Sequence, residues 1–187
     1  RGEDWIGYVN GVEGNRISCG TGAHDVASGD LYIGRRASGS PARHWAGWID
    51  ELRMSTGVAR YTTSIERYSN TFVSKGDTGD AYTVLQIQSN GAENGAHFTE
   101  ALNKTGGLFG PPSITVTGKP VWRNTVGDPF GGGNTALYFS KGEDLVHEFL
   151  TFGDHNDWDL GEECTIEAWV YRTSMPSGGG WIPIASS

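Results

Sequence analysis

Apolar residues recur at every second position in short runs along this chain, and this alternation limits the available folds more than any other feature. Side chains two residues apart share one face of a β-strand, so each run predicts a strand with one buried face. No helical pattern of convincing length is present. Helix is predicted only for a turn or two at residues 62–68. Glycine supplies 29 of the 187 residues. That is about twice its usual share and predicts many tight turns between strands.

The clearest local signal is a β-hairpin near the start of the chain. Residues 5–9 alternate, and the Asn10-Gly11 pair that follows supplies the positive φ angles of a type I′ turn. Further strands are predicted at residues 31–33, 47–54, 84–87, 113–117, 136–139 and 164–171. Seven side chains at alternate positions are expected to face the core: Ile33, Ile49, Leu137, Phe139, Ile166, Ala168 and Val170. Strands at this spacing, without helices between them, predict an antiparallel β-sandwich or barrel.

Charge and hydropathy exclude several classes of function. The formal net charge is −8, and no cluster of Lys and Arg could displace counterions from phosphates. We therefore expect no nucleic-acid partner. No run of about 18 apolar residues is present, so we expect no membrane insertion. The chain begins at Arg1 without a charged-then-apolar leader, so we expect that any targeting segment was removed or never existed. The start without Met predicts that the chain is part of a longer polypeptide.

Two stretches of the chain carry short motifs that resemble those of concanavalin A-like, laminin-G-like lectin domains. The first stretch contains, in order, Tyr8-Val9-Asn10-Gly11, Leu31-Tyr32-Ile33-Gly34, Trp45-Ala46-Gly47-Trp48-Ile49-Asp50-Glu51-Leu52-Arg53 and Ala59-Arg60-Tyr61-Thr62. The second begins at Thr83-Val84-Leu85, although the strand at Val84 to Ile87 could instead close the first unit. It continues with Phe130-Gly131, Ala136-Leu137-Tyr138-Phe139, Trp158-Asp159-Leu160-Gly161 and Cys164-Thr165-Ile166-Glu167-Ala168-Trp169-Val170. The first stretch resembles the C-terminal half of one such domain, and the second resembles the N-terminal half of another.

The resemblance implies an all-β, antiparallel jelly-roll β-sandwich whose halves stand in an inverted order. Residues 1–75 would form the C-terminal half of one laminin-G-like sandwich, and residues 81–187 the N-terminal half of a second. The polar, glycine-rich residues 76–80 would link them. One permuted sandwich is the alternative. Because a lone half would expose strand edges and an apolar face, we expect a neighbouring subunit or flanking chain to cover each half.

The acidic residues do not form a catalytic pair in the sequence. Strict alternation would place Asp50 and Glu51 on opposite faces of a strand, whereas glycosidases need two carboxylates that flank one bond. The resemblance implies a structural hydrogen-bonding role for Asp50. Glu167 has no neighbouring carboxylate and is predicted to be a polar rim residue or part of a cross-strand pair. We therefore expect no enzymatic activity.

Three side chains are candidates for glycan binding, because sugars stack on exposed aromatic rings: His44, Trp45 and Trp158. Core or strand-edge packing is the alternative for the two tryptophans. Asp154, Asp157 and Asp159 concentrate the oxygen ligands that calcium prefers, and a solvated turn is the alternative because the EF-hand spacing is missing. No other cofactor is predicted.

The two cysteines leave their pairing open. Cys19 and Cys164 could form a disulfide or fill small core positions. Cys164 alternates with Ile166, Ala168 and Val170, which favours a place on the apolar face of one strand.

The functional expectation follows from the resemblance. Residues 85–90 and 98–99 resemble the corresponding parts of laminin-G-like domains in tail and capsid-associated proteins of phages. The chain is thus expected to be a non-catalytic structural and adhesion module of a virion, in a tail, fibre or capsid decoration. Its partners would be neighbouring subunits and cell-surface glycans. A secreted bacterial carbohydrate-binding or adhesion domain is the first alternative, and a jelly-roll glycoside hydrolase is the second. The expected location is the virion or an extracellular surface.

Overall fold

The computed structural model describes ten stretches of the chain: residues 4–18, 29–36, 44–64, 81–87, 114–117, 121–123, 136–140, 148–154, 156–173 and 184–186. The described residues are mostly β-strand. The strands are β1 (Asp4–Val9), β2 (Val12–Ser18), β3 (Leu31–Ile33), β4 (Gly47–Thr56), β5 (Thr83–Ile87), β6 (Ile114–Thr117), β7 (Val121–Arg123), β8 (Ala136–Phe139), β9 (Phe149–Phe152), β10 (Cys164–Arg172) and β11 (Ala185–Ser186). Within these stretches, helix is confined to one 3₁₀ turn at Asn156–Trp158.

These strands form three sheets in which every pairing is antiparallel. The strands β1 and β2 form a two-stranded sheet. A five-stranded sheet has the order β10-β4-β8-β7, with β5 also paired to β4. A four-stranded sheet has the order β11-β3-β9-β6. The prediction of an all-β, antiparallel chain is confirmed.

The predicted hairpin is present at β1 and β2. Asn10 has a φ of 52° and Gly11 a φ of 79°, both in the left-handed region that a type I′ turn needs. Asn tolerates this region better than most residues, and Gly enters it at no steric cost. The turn joins two strands whose side chains are largely exposed.

The two segments of the chain are joined in the same sheets. From the first segment, β4 lies between β10 on one side and β5 and β8 on the other. In the four-stranded sheet, β3 from the first segment lies between β9 and β11. The two segments thus pair with each other within these sheets, and the expected cover by a neighbouring subunit or flanking chain stays a prediction. The predicted linker at residues 76–80 lies outside the described residues.

The apolar core contains side chains from both larger sheets. Ile33, Ile49, Leu137 and Phe139 are buried, as predicted from their alternate positions. Leu150 and Phe152 of β9 join them. Because both faces of β9 are largely buried, its sequence Phe-Leu-Thr-Phe does not alternate, and alternation could not reveal this strand.

The predicted burial of β10 is wrong at two positions. Ile166 and Val170 are 40% and 43% exposed, although Ala168 between them packs against the core. Ile166 pairs with the buried Met54, so the predicted face is right. The burial differs because β10 ends the strand order of its sheet among the described residues, where β4 is its one neighbouring strand.

The predicted helical turn is absent where the structure can test it. Residues 62 and 63 form bends and residue 64 is irregular, so none of the three is helical, and residues 65–68 lie outside the described residues. The short strands β7 and β11, of three and two residues, were not predicted, because so few positions cannot display a period.

Candidate functional site

The five-stranded sheet turns one face toward the core, and its opposite face, here called the outer face, carries the polar and aromatic side chains of β4 and β10. Directly paired residues of antiparallel strands share a face. Three cross-strand rows therefore follow from the register: Tyr171–Trp48–Tyr138, Glu167–Arg53–Gln86 and Thr165–Ser55–Thr83.

A β-bulge at Asp50 and Glu51 interrupts the alternation of β4. Glu51 has a φ of 47°, and its backbone N–H donates to Asp50 Oδ1 at 2.8 Å. The bulge adds one residue, so Ile49 and Leu52 both reach the core although they are three positions apart. Strict alternation across Asp50 and Glu51 is therefore wrong, and both carboxylates are buried. The structural hydrogen bond that the resemblance implied for Asp50 is present.

Of the two roles that the sequence left open for Glu167, a polar rim residue or a cross-strand pair, the structure shows the pair. Arg53 lies directly opposite, with Nη2 2.5 Å and Nε 2.6 Å from Glu167 Oε1. The Tyr61 hydroxyl donates to the other carboxylate oxygen, Oε2, at 2.6 Å. Both charged side chains are largely buried, so the ion pair and its hydrogen bonds are little screened by water. This carboxylate is held by two partners in a structural cluster.

Arg60 joins three neighbouring strands through the row of hydroxyl groups beside Glu167. Its Nε donates to Ser55 Oγ at 2.9 Å, and its Nη2 donates to Thr83 Oγ1 at 3.2 Å. Its backbone N–H donates to Thr165 Oγ1 at 2.9 Å. The planar guanidinium suits this task because its donors point in fixed, divergent directions. The Ala59-Arg60-Tyr61-Thr62 motif thus folds back over the outer face and covers one end of it.

The β1–β2 hairpin contacts this same covering segment. The rings of Tyr8 and Tyr61 lie 6.3 Å apart in an edge-to-face arrangement. The backbone N–H of Glu13 donates to Ser64 Oγ at 3.0 Å. The hairpin is thus connected to the end of the outer face that Arg60 and Tyr61 already occupy.

The other end of the outer face carries the row of three aromatic side chains Tyr171, Trp48 and Tyr138, here called the aromatic row. The ring centroids of Trp48 lie 4.5 Å from Tyr138 and 5.5 Å from Tyr171. Tyr171 is 52% exposed, and the other two are half-buried. The row therefore offers part of its ring surface to solvent.

Gly47 allows the strands below the aromatic row to approach closely. Its φ is 140°, and a Cβ at this position would lie 2.1 Å from the carbonyl oxygen of Tyr171. A side chain would therefore force β10 away from β4 at the point where Tyr171 meets Trp48. The glycine of the Trp-Ala-Gly-Trp motif is required by this approach.

The aromatic row was missed from the sequence. Trp48 and Tyr138 stand only within longer motifs in the sequence, and nothing local indicates that their strands are neighbours. The alternation of side chains along a strand assigns each residue to a face of the sheet, but it does not identify the residue's cross-strand partner.

The predicted glycan-binding residues lie elsewhere. Trp45 and Trp158 are only 5% and 3% exposed and belong to the core, so the packing alternative describes both. Trp158 Nε1 donates to the Gly153 carbonyl at 2.9 Å, and its ring lies edge-to-face with Phe152. The half-buried His44 has its ring 6.1 Å from that of Phe149. Neither tryptophan offers a ring face to a sugar.

The predicted calcium candidates do not form a cage in the described part of the chain. Asp154 and Asp159 are exposed, and Asp159 Oδ1 accepts a hydrogen bond from the Gly161 N–H at 3.1 Å. The side chain of Asp157 lies outside the described residues. Among the described residues, no three His, Cys, Asp or Glu side chains gather as metal ligands. Calcium binding at these aspartates stays a prediction.

Cys164 is a free thiol, half-buried at the start of β10. Burial raises the pKa of this thiol, which keeps it protonated at neutral pH and makes it a weak nucleophile. Cys19 lies outside the described residues.

Comparisons of this chain with models of protein families, with curated proteins and with solved structures find no match. No helix in the described stretches is long and apolar enough to cross a membrane. The antiparallel, all-β architecture and the chemistry of the outer face are therefore the basis for a functional proposal.

Proposed function

We propose that this chain is a non-catalytic structural and adhesion module of a virion, built as one permuted, concanavalin A-like jelly-roll sandwich. Its contact with carbohydrate would use the aromatic row of Tyr171, Trp48 and Tyr138. The virion assignment follows from the resemblance described above. The observation that carries the binding proposal is the aromatic row, whose rings are partly open to solvent on the outer face of the sheet.

The sandwich part of the proposal is supported by the composition of the core. Leu31 and Ile33 come from the four-stranded sheet, whereas Ile49, Leu137 and Phe139 come from the five-stranded sheet. One cluster that contains side chains from two sheets is what a two-layer β-fold requires.

The non-catalytic part is supported by the state of the acidic residues. Glu167 is held by Arg53 and Tyr61, and Asp50 accepts the N–H of its own neighbour. The buried Glu148 accepts the backbone N–H of Ser140. Carboxylates held in this way stabilise the fold, and none of these contacts leaves an acid and a base facing each other across a groove.

The carbohydrate part is supported by the spacing of the row. Adjacent strands lie about 4.8 Å apart, so the row crosses about 10 Å of the sheet. That length accommodates a disaccharide lying across the strands. The apolar faces of pyranose rings can stack on the rings, and the tyrosine hydroxyls can exchange hydrogen bonds with sugar hydroxyls.

Affinity electrophoresis through gels that contain host cell-wall or capsular polysaccharides would test this proposal. The expected result is retardation by at least one polysaccharide, lost in Tyr171→Ala and Trp48→Ala and kept in the control Tyr82→Ala. Tyr82 is a suitable control because it is similarly exposed, at 50%, and lies outside the row. Retardation that survives both row variants would overturn the site.

The same polysaccharides, assayed for released reducing ends, test the non-catalytic part. No release is expected. Release that Asp50→Asn or Glu167→Gln abolishes would reopen the hydrolase alternative. Mass spectrometry of purified particles tests the virion assignment, which requires the chain to be a stoichiometric component.

A further inference from the structure

Strand β10 is a long sheet edge with an apolar surface. It spans nine residues, and within the described residues it pairs with β4 alone. Its core-side face exposes Ile166 and Val170, which are separated by Ala168. A strand edge of this kind offers backbone donors and acceptors to another strand.

The sequence of β10 lacks the residues that commonly protect a strand edge against pairing. Edge strands are commonly blunted by Lys, by Pro or by an inward-pointing charge, and Cys164–Arg172 contains no Lys or Pro. The one acidic residue, Glu167, is neutralised within the chain by Arg53. Although the chain as a whole is acidic, the edge itself carries little net charge that would repel a second copy.

We propose that β10 pairs antiparallel with β10 of a second copy of this chain, in a register centred on Ala168. This register places Ile166 of each copy opposite Val170 of the other, so the exposed apolar side chains cover each other in two equivalent pairs. Directly opposed apolar residues on one face are the main stabilising unit of an antiparallel pair. A two-fold axis through Ala168 makes the contact closed and self-limiting.

The charges at the strand ends favour the antiparallel direction. Glu162 and Glu163 precede β10, and Arg172 ends it. Antiparallel pairing brings the acidic end of one copy near the basic end of the other, whereas parallel pairing would bring the acidic ends together. Opposite charges nearby favour the first arrangement and like charges oppose the second.

The dimer joins the two five-stranded sheets into one continuous sheet. Because an antiparallel edge pair keeps equivalent faces on the same side, the two aromatic rows lie on one common surface. The contact is about 30 Å long, from nine residues at about 3.4 Å each, which is small for a stable interface. We therefore expect concentration-dependent dimers and a bivalent carbohydrate surface. The bivalence rests on the proposed carbohydrate function, whereas the pairing itself does not.

Sedimentation equilibrium over a concentration series tests the pairing. Wild-type chain is expected to dimerise, and Ile166→Lys and Val170→Lys are expected to remain monomeric. The control Val12→Lys places the same charge on an exposed valine of β2 and is expected to dimerise like wild type. Near-UV circular dichroism establishes that each variant is folded. A wild-type monomer at every concentration, or dimers that survive both β10 substitutions, would overturn the proposal.

A disulfide trap tests the register independently. In a Cys19→Ser, Cys164→Ser background, Ala168→Cys places two thiols opposite each other at the two-fold axis, and mild oxidation should link them. Val12→Cys in the same background is the control and should stay monomeric. If the chain dimerises but the two Ala168→Cys thiols do not form a disulfide, this register is excluded. The remaining explanations are then pairing with an extended segment of another partner, or contact through another surface. Retardation by polysaccharide in the monomeric Ile166→Lys variant reports on the carbohydrate site separately.

Discussion

Arg53 and Glu167 lie directly opposite each other on β4 and β10, 114 positions apart in the sequence, and both Nε and Nη2 of the arginine contact the same carboxylate oxygen. The Tyr61 hydroxyl occupies the second oxygen. This cluster connects the first segment of the chain to the last long strand, at a largely buried position where a lost partner is not replaced by water.

Glu167→Gln should destabilise the protein, because it leaves the Arg53 charge largely buried without its counter-charge. We expect a loss of about 2–3 kcal/mol in the free energy of unfolding, somewhat less than for a fully buried pair. Urea denaturation followed by tryptophan fluorescence measures it. Glu13→Gln is the matched control: its partner Arg16 is well exposed, and little change is expected. Equal losses in the two variants would contradict the structural role of the Glu167 cluster.

Gly47→Ala should be strongly destabilising, because the added Cβ would lie 2.1 Å from the Tyr171 carbonyl oxygen at a φ of 140°. We expect a loss of more than about 3 kcal/mol, since both strain and separation of β4 from β10 contribute. Gly7→Ala is the control, because a Cβ there meets no atom within 4 Å. Thermal unfolding of both variants compares them, and a Gly47→Ala protein as stable as Gly7→Ala would disprove the close approach.

Phe139→Ala and Ile166→Ala should differ sharply although both residues occupy core-side positions. Phe139 is fully buried, so its truncation should lower the free energy of unfolding by about 3–5 kcal/mol. Ile166 is 40% exposed in the monomer, so its truncation should lower the free energy of unfolding by about 1 kcal/mol or less. Chemical denaturation at low protein concentration gives both values. A loss at Ile166 as large as that at Phe139 would show that the edge strand is covered.

Cys164 should react slowly with alkylating agents in the folded protein. Burial raises the pKa of its thiol, so the folded state holds its proton at a pH where the unfolded thiol ionises. The contribution of this thiol to the free energy of unfolding is therefore fully present below the ordinary thiol pKa. It is lost as the pH rises toward the higher pKa of the thiol in the folded protein. Iodoacetamide labelling of a Cys19→Ser variant, in buffer and in urea, measures the contrast. Equal rates in the two conditions at mildly alkaline pH would contradict the burial.

Features that depend on adjacent residues could be predicted from the sequence. The Asn10-Gly11 turn is an example, because the positive φ preference belongs to those two residues wherever the chain places them. The faces of β8 are another, because Leu137 and Phe139 share a side of any strand that contains them.

Features that depend on strand neighbours could not be predicted in this way. Ile166 has the alternation of a buried residue, but its exposure depends on β10 lying at the end of the sheet. The bulge at Glu51 changes the phase of β4 without a local signal such as glycine. The two tryptophans predicted to bind glycan, Trp45 and Trp158, are core residues, whereas Trp48 lies in the aromatic row.

The sequence by itself therefore determined the strand-rich class of this protein, its first hairpin and the side toward which most strand residues point. The tertiary structure alone decided which strands are neighbours, which described strand ends the sheet, and which side chains meet as the Arg53–Glu167–Tyr61 cluster and the aromatic row. The physical reason is range. Turn preference and side-chain alternation act over two to four residues, whereas pairing between β4 and β10 depends on hydrogen-bond register and burial contributed by residues more than a hundred positions apart.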